Sequence, residues 1–87
     1  MVKLLNLKNL DDVPTDELMV VCKYHSYLNG WNWYVIAGEK QADGDYLLFG
    51  YVEGFEKELG FFTLSEIKSI GGCKVDFTPC KLSDVID

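Results

Sequence analysis

The chain has 87 residues, 48% hydrophobic and 14% aromatic, with 14 acids against 8 bases, all lysine, for a formal charge of −6. This apolar density excludes a disordered regulator, and the length suits a single domain spanning residues 1–87. Without arginine, and with acids in excess, the chain lacks the clustered positive charge that grips a phosphate backbone, so no direct nucleic-acid partner is expected.

Leu4, Leu5, Leu7 and Leu10 open the chain as an apolar cluster, compatible with a short helix or a packed extended arm, which Asp11-Asp12-Val13-Pro14 ends. Thr15-Asp16-Glu17 is turn-like, and Leu18 to Tyr27 reads as a first strand. Asn29-Gly30 is a hairpin signal, because both residues tolerate positive φ. Trp31 to Glu39 makes the return strand, Gln41-Ala42-Asp43-Gly44 a second turn, and Asp45 to Val52 a third strand broken by Glu53-Gly54. After the charged connection Glu56-Lys57-Glu58, Leu59 to Phe62 reads as a fourth strand. Thr63-Leu64-Ser65-Glu66 matches a capping box, and the helix it opens is expected to end at Ile70, before Gly71-Gly72. Val75-Asp76-Phe77 is a candidate edge strand stopped by Pro79, and Leu82, Val85 and Ile86 suit a terminal helical turn. The expected fold is α+β: a mainly antiparallel meander of four to five strands, a capped helix over about 64–70 on one face, and short helical segments at both ends.

Alternation gives both faces of the central strands apolar side chains. Trp31, Trp33, Val35 and Ala37 are expected on one side, and Asn32, Tyr34 and Ile36 on the other. One face should carry the helix. The other, covered by the N-terminal segment or partly open, is the sequence's hint of a binding surface.

Several chemistries find little support. No apolar run approaches the roughly 18–20 residues of a membrane span, and Met1-Val2-Lys3-Leu4-Leu5 does not open a signal peptide. Three irregularly spaced cysteines make no disulfide framework, which points to the cytoplasm. Cys22 and His25 with Cys73 and Cys80 offer four possible zinc ligands. Residues three apart on a strand face opposite ways, however, and the second pair is wider than zinc-finger spacing, so no metal or other cofactor is expected. His25 is the only histidine, with no nucleophile suitably placed beside it in sequence, so no enzymatic activity is expected.

Three blocks of sequence resemble a known family. They are Trp31-Asn32-Trp33-Tyr34-Val35, then Phe49-Gly50-Tyr51-Val52-Glu53-Gly54-Phe55, then Glu58-Leu59-Gly60-Phe61-Phe62-Thr63-Leu64-Ser65-Glu66-Ile67. In order and spacing they are similar to small bacterial, plasmid and phage proteins catalogued as a domain of unknown function, number twenty-nine fifty-eight. The closing Phe77-Thr78-Pro79-Cys80-Lys81-Leu82-Ser83-Asp84-Val85 resembles the family's tail, and the likeness covers about three quarters of the chain. It implies a mobile-element setting and no particular chemistry.

The candidate binding residues are the acids Asp43, Asp45, Glu53, Glu56 and Glu58, with Tyr34 and Tyr51 as aromatic contacts. Acids two apart on extended chain lie roughly 6–7 Å apart on one side, comparable to the repeat of a nucleic-acid strand, although solvated loop charge is the simpler reading. The expected function is therefore a non-enzymatic protein-binding factor of a phage or mobile element. It would inhibit a host protein, such as a nucleic-acid-binding defence effector, through an acidic and aromatic surface. Two alternatives stand beside it. One is a small-ligand or nucleotide module stacking on Trp33, Tyr34 and Tyr51, and the other a self-associating homodimer joined by an apolar face or edge strand.

Overall fold

A computed structural model describes residues 4–86; the opening Met1-Val2-Lys3 lies outside them. The fold is α+β. Strand β1 (Met19–Val20) leads into β2 (Cys22–Ser26), β3 (Asn32–Lys40), β4 (Tyr46–Glu53) and β5 (Lys57–Thr63). Helix α1 (Leu64–Ser69) follows, then β6 (Gly72–Val75) and β7 (Cys80–Lys81), with 3-10 turns at Leu7–Asp12, Thr15–Glu17 and Leu82–Asp84. The main sheet runs β5-β4-β3-β2-β6, antiparallel throughout, and β1 pairs with β7 in a separate two-stranded clasp.

The expected first strand, Leu18–Tyr27, is divided between these two sheets. Val21 is the joint: its amide bonds the Val35 carbonyl, while Val20 turns to Cys80. The hairpin after β2 is also wider than a two-residue turn. Ser26 and Trp31 close it, Gly30 alone takes positive φ (79°), and the Asn29 carboxamide accepts from the Trp31 amide. Tyr27 and Leu28 are thereby carried out of the strand into the loop. The tight β4–β5 hairpin lets Lys57 pair with Glu53, so β5 takes in Lys57 and Glu58 of the charged connection and leaves Glu56 in the turn.

Thr63 caps α1 as expected, its hydroxyl accepting from the Glu66 amide at 3.2 Å. Asp45, reaching from the start of β4, takes the Ser65 amide at 3.1 Å and the Ser65 hydroxyl at 2.6 Å. At the other end Gly71, with φ +77°, turns the chain straight into β6. The sixth strand therefore forms over 72–75, ahead of the expected 75–77.

Two clusters fill the two faces. On the helix side Trp33, Val35, Leu48 and Phe62 pack against Ile67, which is fully buried. On the other side Ile36, Ala37 and Tyr51 pack against Leu18, Val20 and Leu82, with Leu5, Leu7, Leu10, Val13, Phe77 and Val85 around them. Ala37 was expected beside Val35; a bulge between Val35 and Ala37 inserts Ile36 and turns both Ile36 and Ala37 to the same face. The second face is covered by segments from both ends of the chain, pinned by the clasp and by the Leu82 amide on the Leu18 carbonyl at 2.9 Å. It stays open only at its margins. Among the described residues no helix is long and apolar enough to cross a membrane.

Candidate functional site

Strand register draws one line of polar side chains across all five strands at the open end of the terminal-segment face. Cys73 lies opposite His25, His25 opposite Asn32, Asn32 opposite Glu53, and Glu53 opposite Lys57. Directly paired residues share a face, so the five form a single row. The His25 Nδ1 meets the Asn32 carboxamide oxygen at 2.8 Å, and the Asn32 amide donates to Glu53 Oε1 at 3.3 Å. The Tyr34 hydroxyl donates to the same oxygen at 3.1 Å, while Lys57 Nζ stands 3.9 Å from Glu53 Oε2. Glu53 is thus a structural hub for this end of the sheet.

Tyr34 belongs to the next row, beside Tyr51 and under Phe77, with Lys23 Nζ 5.2 Å from its ring centroid. Burial and the hydrogen bond to the Glu53 carboxylate push its phenol up to about 12, because both favour the neutral form. Tyr51 is only 5% exposed and fills the core, so its ring offers no free face for stacking. Trp33 is equally buried, on the opposite side of the sheet.

Two loops project beside the polar row. The β2–β3 loop holds Tyr27 and Leu28, 76% and 81% exposed, and the β4–β5 loop holds Phe55, 95% exposed. Because Asn32 pairs with Glu53, the loops lie at the same end of the sheet. Trp31 stands at this end, in edge contact with Phe55 at 5.3 Å between centroids, and the Tyr27 ring meets His25 edge-on at 4.6 Å. One edge contact covers little of Phe55, which accounts for its exposure. Each of these exposed side chains leaves apolar area in water that association would remove.

The five candidate acids do not form one face. Asp43 and Asp45 sit at the β3–β4 turn, while Glu53, the last residue of β4, Glu56 and Glu58 sit around the β4–β5 hairpin, so the length of β4, about 25 Å, separates the groups. Asp45 is committed to the helix cap, and hydrogen bonds from the Ser65 hydroxyl and the Tyr46 amide lower its pKa. Asp43 accepts from the Asp45 amide and shapes the turn. Glu53 faces the terminal segments, whereas Glu58, paired with Val52, faces the helix side. Glu56 is exposed in the hairpin, beside Phe55.

The cysteines are likewise dispersed. Cys22 packs against the helix-side cluster, Cys80 against the other, and the exposed Cys73 directs its thiol to the His25 carbonyl at 3.7 Å. Among the described residues no three histidine, cysteine or acidic side chains gather as a metal would require.

No protein-family model, curated protein or solved structure matches the chain. Sequence reasoning selected Glu53 and Tyr34 from the site and passed over Tyr27, Leu28, Phe55 and the His25–Asn32 pair. Phe55, between two acids in a glycine-marked break, was the readable signal. The width of the Asn29-Gly30 loop, which exposes Tyr27 and Leu28, had none.

Proposed function

We propose that this protein is a non-enzymatic binding protein that docks on a partner protein through the loop end of its sheet, with Tyr27, Leu28, Trp31 and Phe55 as the contact core. The observation that carries this reading is the gathering of three highly exposed, large apolar side chains on two adjacent loops. Around them the polar row supplies hydrogen-bonding groups held in fixed positions by their neighbours, an arrangement suited to the rim of an interface. Within the row the imidazole is engaged by Asn32 and the nearby thiol by a backbone carbonyl, which favours binding over acid–base or nucleophilic chemistry.

The finer reading, an inhibitor of a host defence protein carried by a phage or other mobile element, rests on the resemblance of the aromatic blocks and on the net charge of −6. Glu56, exposed beside Phe55, would face basic groups on such a partner, whereas Glu53 is engaged within the polar row and Glu58 faces the helix side. Capture from host lysate tests the proposal when the protein is compared with a Leu28→Ser/Phe55→Ser variant. A partner retained by the protein and lost with the variant supports it, whereas equal capture refutes it. Steep weakening of that complex with salt would support an acidic contribution to the contact.

Self-association has an observation of its own. Phe61, 62% exposed, and Leu59 stand on the outer strand β5, beside a groove formed with Leu10, Val13 and Phe49. An unpaired edge with apolar residues is a site for strand addition. Light scattering over a range of concentrations, repeated with Phe61→Glu, tests that reading.

A further inference from the structure

A second recessed surface lies on the helix side of the sheet, away from the face that carries the polar row. Its cavity measures about 310 Å³, roughly twice an apolar cavity known to hold benzene. The buried Val35 and Leu48 form its floor, with Val21 and Leu64 beside them. The polar groups around it are few: the Cys22 thiol, the Tyr24 and Tyr46 phenols, and the Lys74 ammonium. No carboxylate lines it, although acids outnumber bases across the chain.

Lys74 pairs with Tyr24 across β6 and β2, and its charge reaches Cys22 on the same face. Among the described residues it makes no ion pair, so one lysine charge stands uncompensated at the mouth of an apolar recess. Burial raises the pKa of both the Cys22 thiol and the Tyr24 phenol, with the neighbouring Cys22 adding to the effect on Tyr24. Both groups therefore remain neutral donors at neutral pH and present no negative charge to an incoming anion. Neither phenol has a hydrogen-bond partner within the described residues, which leaves both available to a ligand.

We propose that this recess is a binding site for a small monocarboxylate with an apolar body about the size of an aromatic ring and a short side chain. The ring would lie on Val35 and Leu48, and the carboxylate would meet Lys74 and the phenol of Tyr24 or Tyr46. The charge pattern selects this class. One lysine without an arginine fork suits a single negative charge, and the acidic chain disfavours a polyanion. The apolar floor gives a bare inorganic anion nothing to fill. The site is distinct from the loop end and does not depend on the function proposed for it.

Amide NMR titration with 3-phenylpropionate tests the assignment, with the neutral 3-phenylpropan-1-ol as comparison. Saturable shifts at Cys22, Tyr24, Val35, Leu64 and Lys74 are expected with the carboxylate. Lys74→Met keeps the alkyl stem and should weaken the carboxylate about fivefold while leaving the alcohol unchanged, the effect of one exposed charge pair. Lys68→Met, on the exposed side of α1, should leave both affinities unchanged. Shifts that do not saturate, shifts centred on the loop end, or equal affinity of Lys74→Met and the unmodified protein for the carboxylate would each overturn the assignment.

Discussion

Replacing Ser26 by alanine should destabilise the protein by about 2 kcal/mol, an unusually large effect for the loss of one oxygen atom. Ser26 is the one fully buried polar residue among those described, and its hydroxyl ties three elements together. It donates to the Ile70 carbonyl at the end of α1 at 2.6 Å and accepts from the Leu28 amide in the β2–β3 loop at 3.2 Å. A typical hydrogen bond contributes about 1 kcal/mol net, and a buried group left without a partner costs about 1–3 kcal/mol. Leu28 is exposed and its amide would regain water, so most of the loss falls on the Ile70 carbonyl. In a domain of this size the melting temperature should fall by about 8–16 °C. Urea unfolding followed by the fluorescence of Trp31 and Trp33 measures the change, with an unaltered slope showing that only stability has moved. Ser69→Ala, which removes an exposed bond to the Glu66 carbonyl, is the control and should stay within about 0.5 kcal/mol. A Ser26→Ala value inside the same limit would refute the claim that this hydroxyl locks the loop to the helix.

Four further outcomes follow from the geometry. Gly50→Ala should cost about 3 kcal/mol, because its Cβ would run into the Tyr34 carbonyl, while Gly60→Ala directly opposite meets open space and should be nearly neutral; paired urea midpoints distinguish them. Asp45→Ala should lose the two bonds to Ser65 that reinforce the Thr63 cap, and so lower stability near neutral pH. The lowered pKa means that the carboxylate's contribution is present above its ordinary value of 3.8 and vanishes as pH falls through the folded-state value, so the two proteins' midpoints should converge in acid. Glu53→Gln should lower the Tyr34 phenol from about 12 part of the way toward its ordinary 10, burial remaining as the larger cause, read by ultraviolet absorbance; the associated stabilisation is full below 10 and lost as pH rises through about 12. Phe55→Ser should leave the urea midpoint within about 0.5 kcal/mol of the original, since the ring is almost wholly in water, while reducing partner capture.

The meander, the Thr63 cap and the helix it opens were legible because each rests on local chemistry: alternation, a capping side chain, a glycine stop. What failed to show was set by distant partners. Val21 divides the first strand because Cys80 and Lys81, about 60 residues away, compete for Met19 and Val20. Ile36 looks like an ordinary alternating position until the register with Gly50 and Phe49 is known. The same distance explains the site. Glu53 and Tyr34 could be singled out as an acid and an aromatic, but their alignment with His25, Asn32, Lys57 and Cys73 exists only once four strand registers are set. Asp45 was read as free loop charge for want of any signal that Ser65 would fold back onto it.

The clasp between β1 and β7 has a consequence for how the chain comes to be folded. Residues 19–20 find their partners only in residues 80–81, and Leu82 seals the core over Leu18 and Val20. During synthesis the five-stranded sheet therefore carries an incompletely covered greasy side until the residues around Leu82 become available, and long-range closure of this kind is slow. A nascent or truncated chain lacking residues 80–85 should be held by chaperones or degraded, even though every strand of the main sheet is already present.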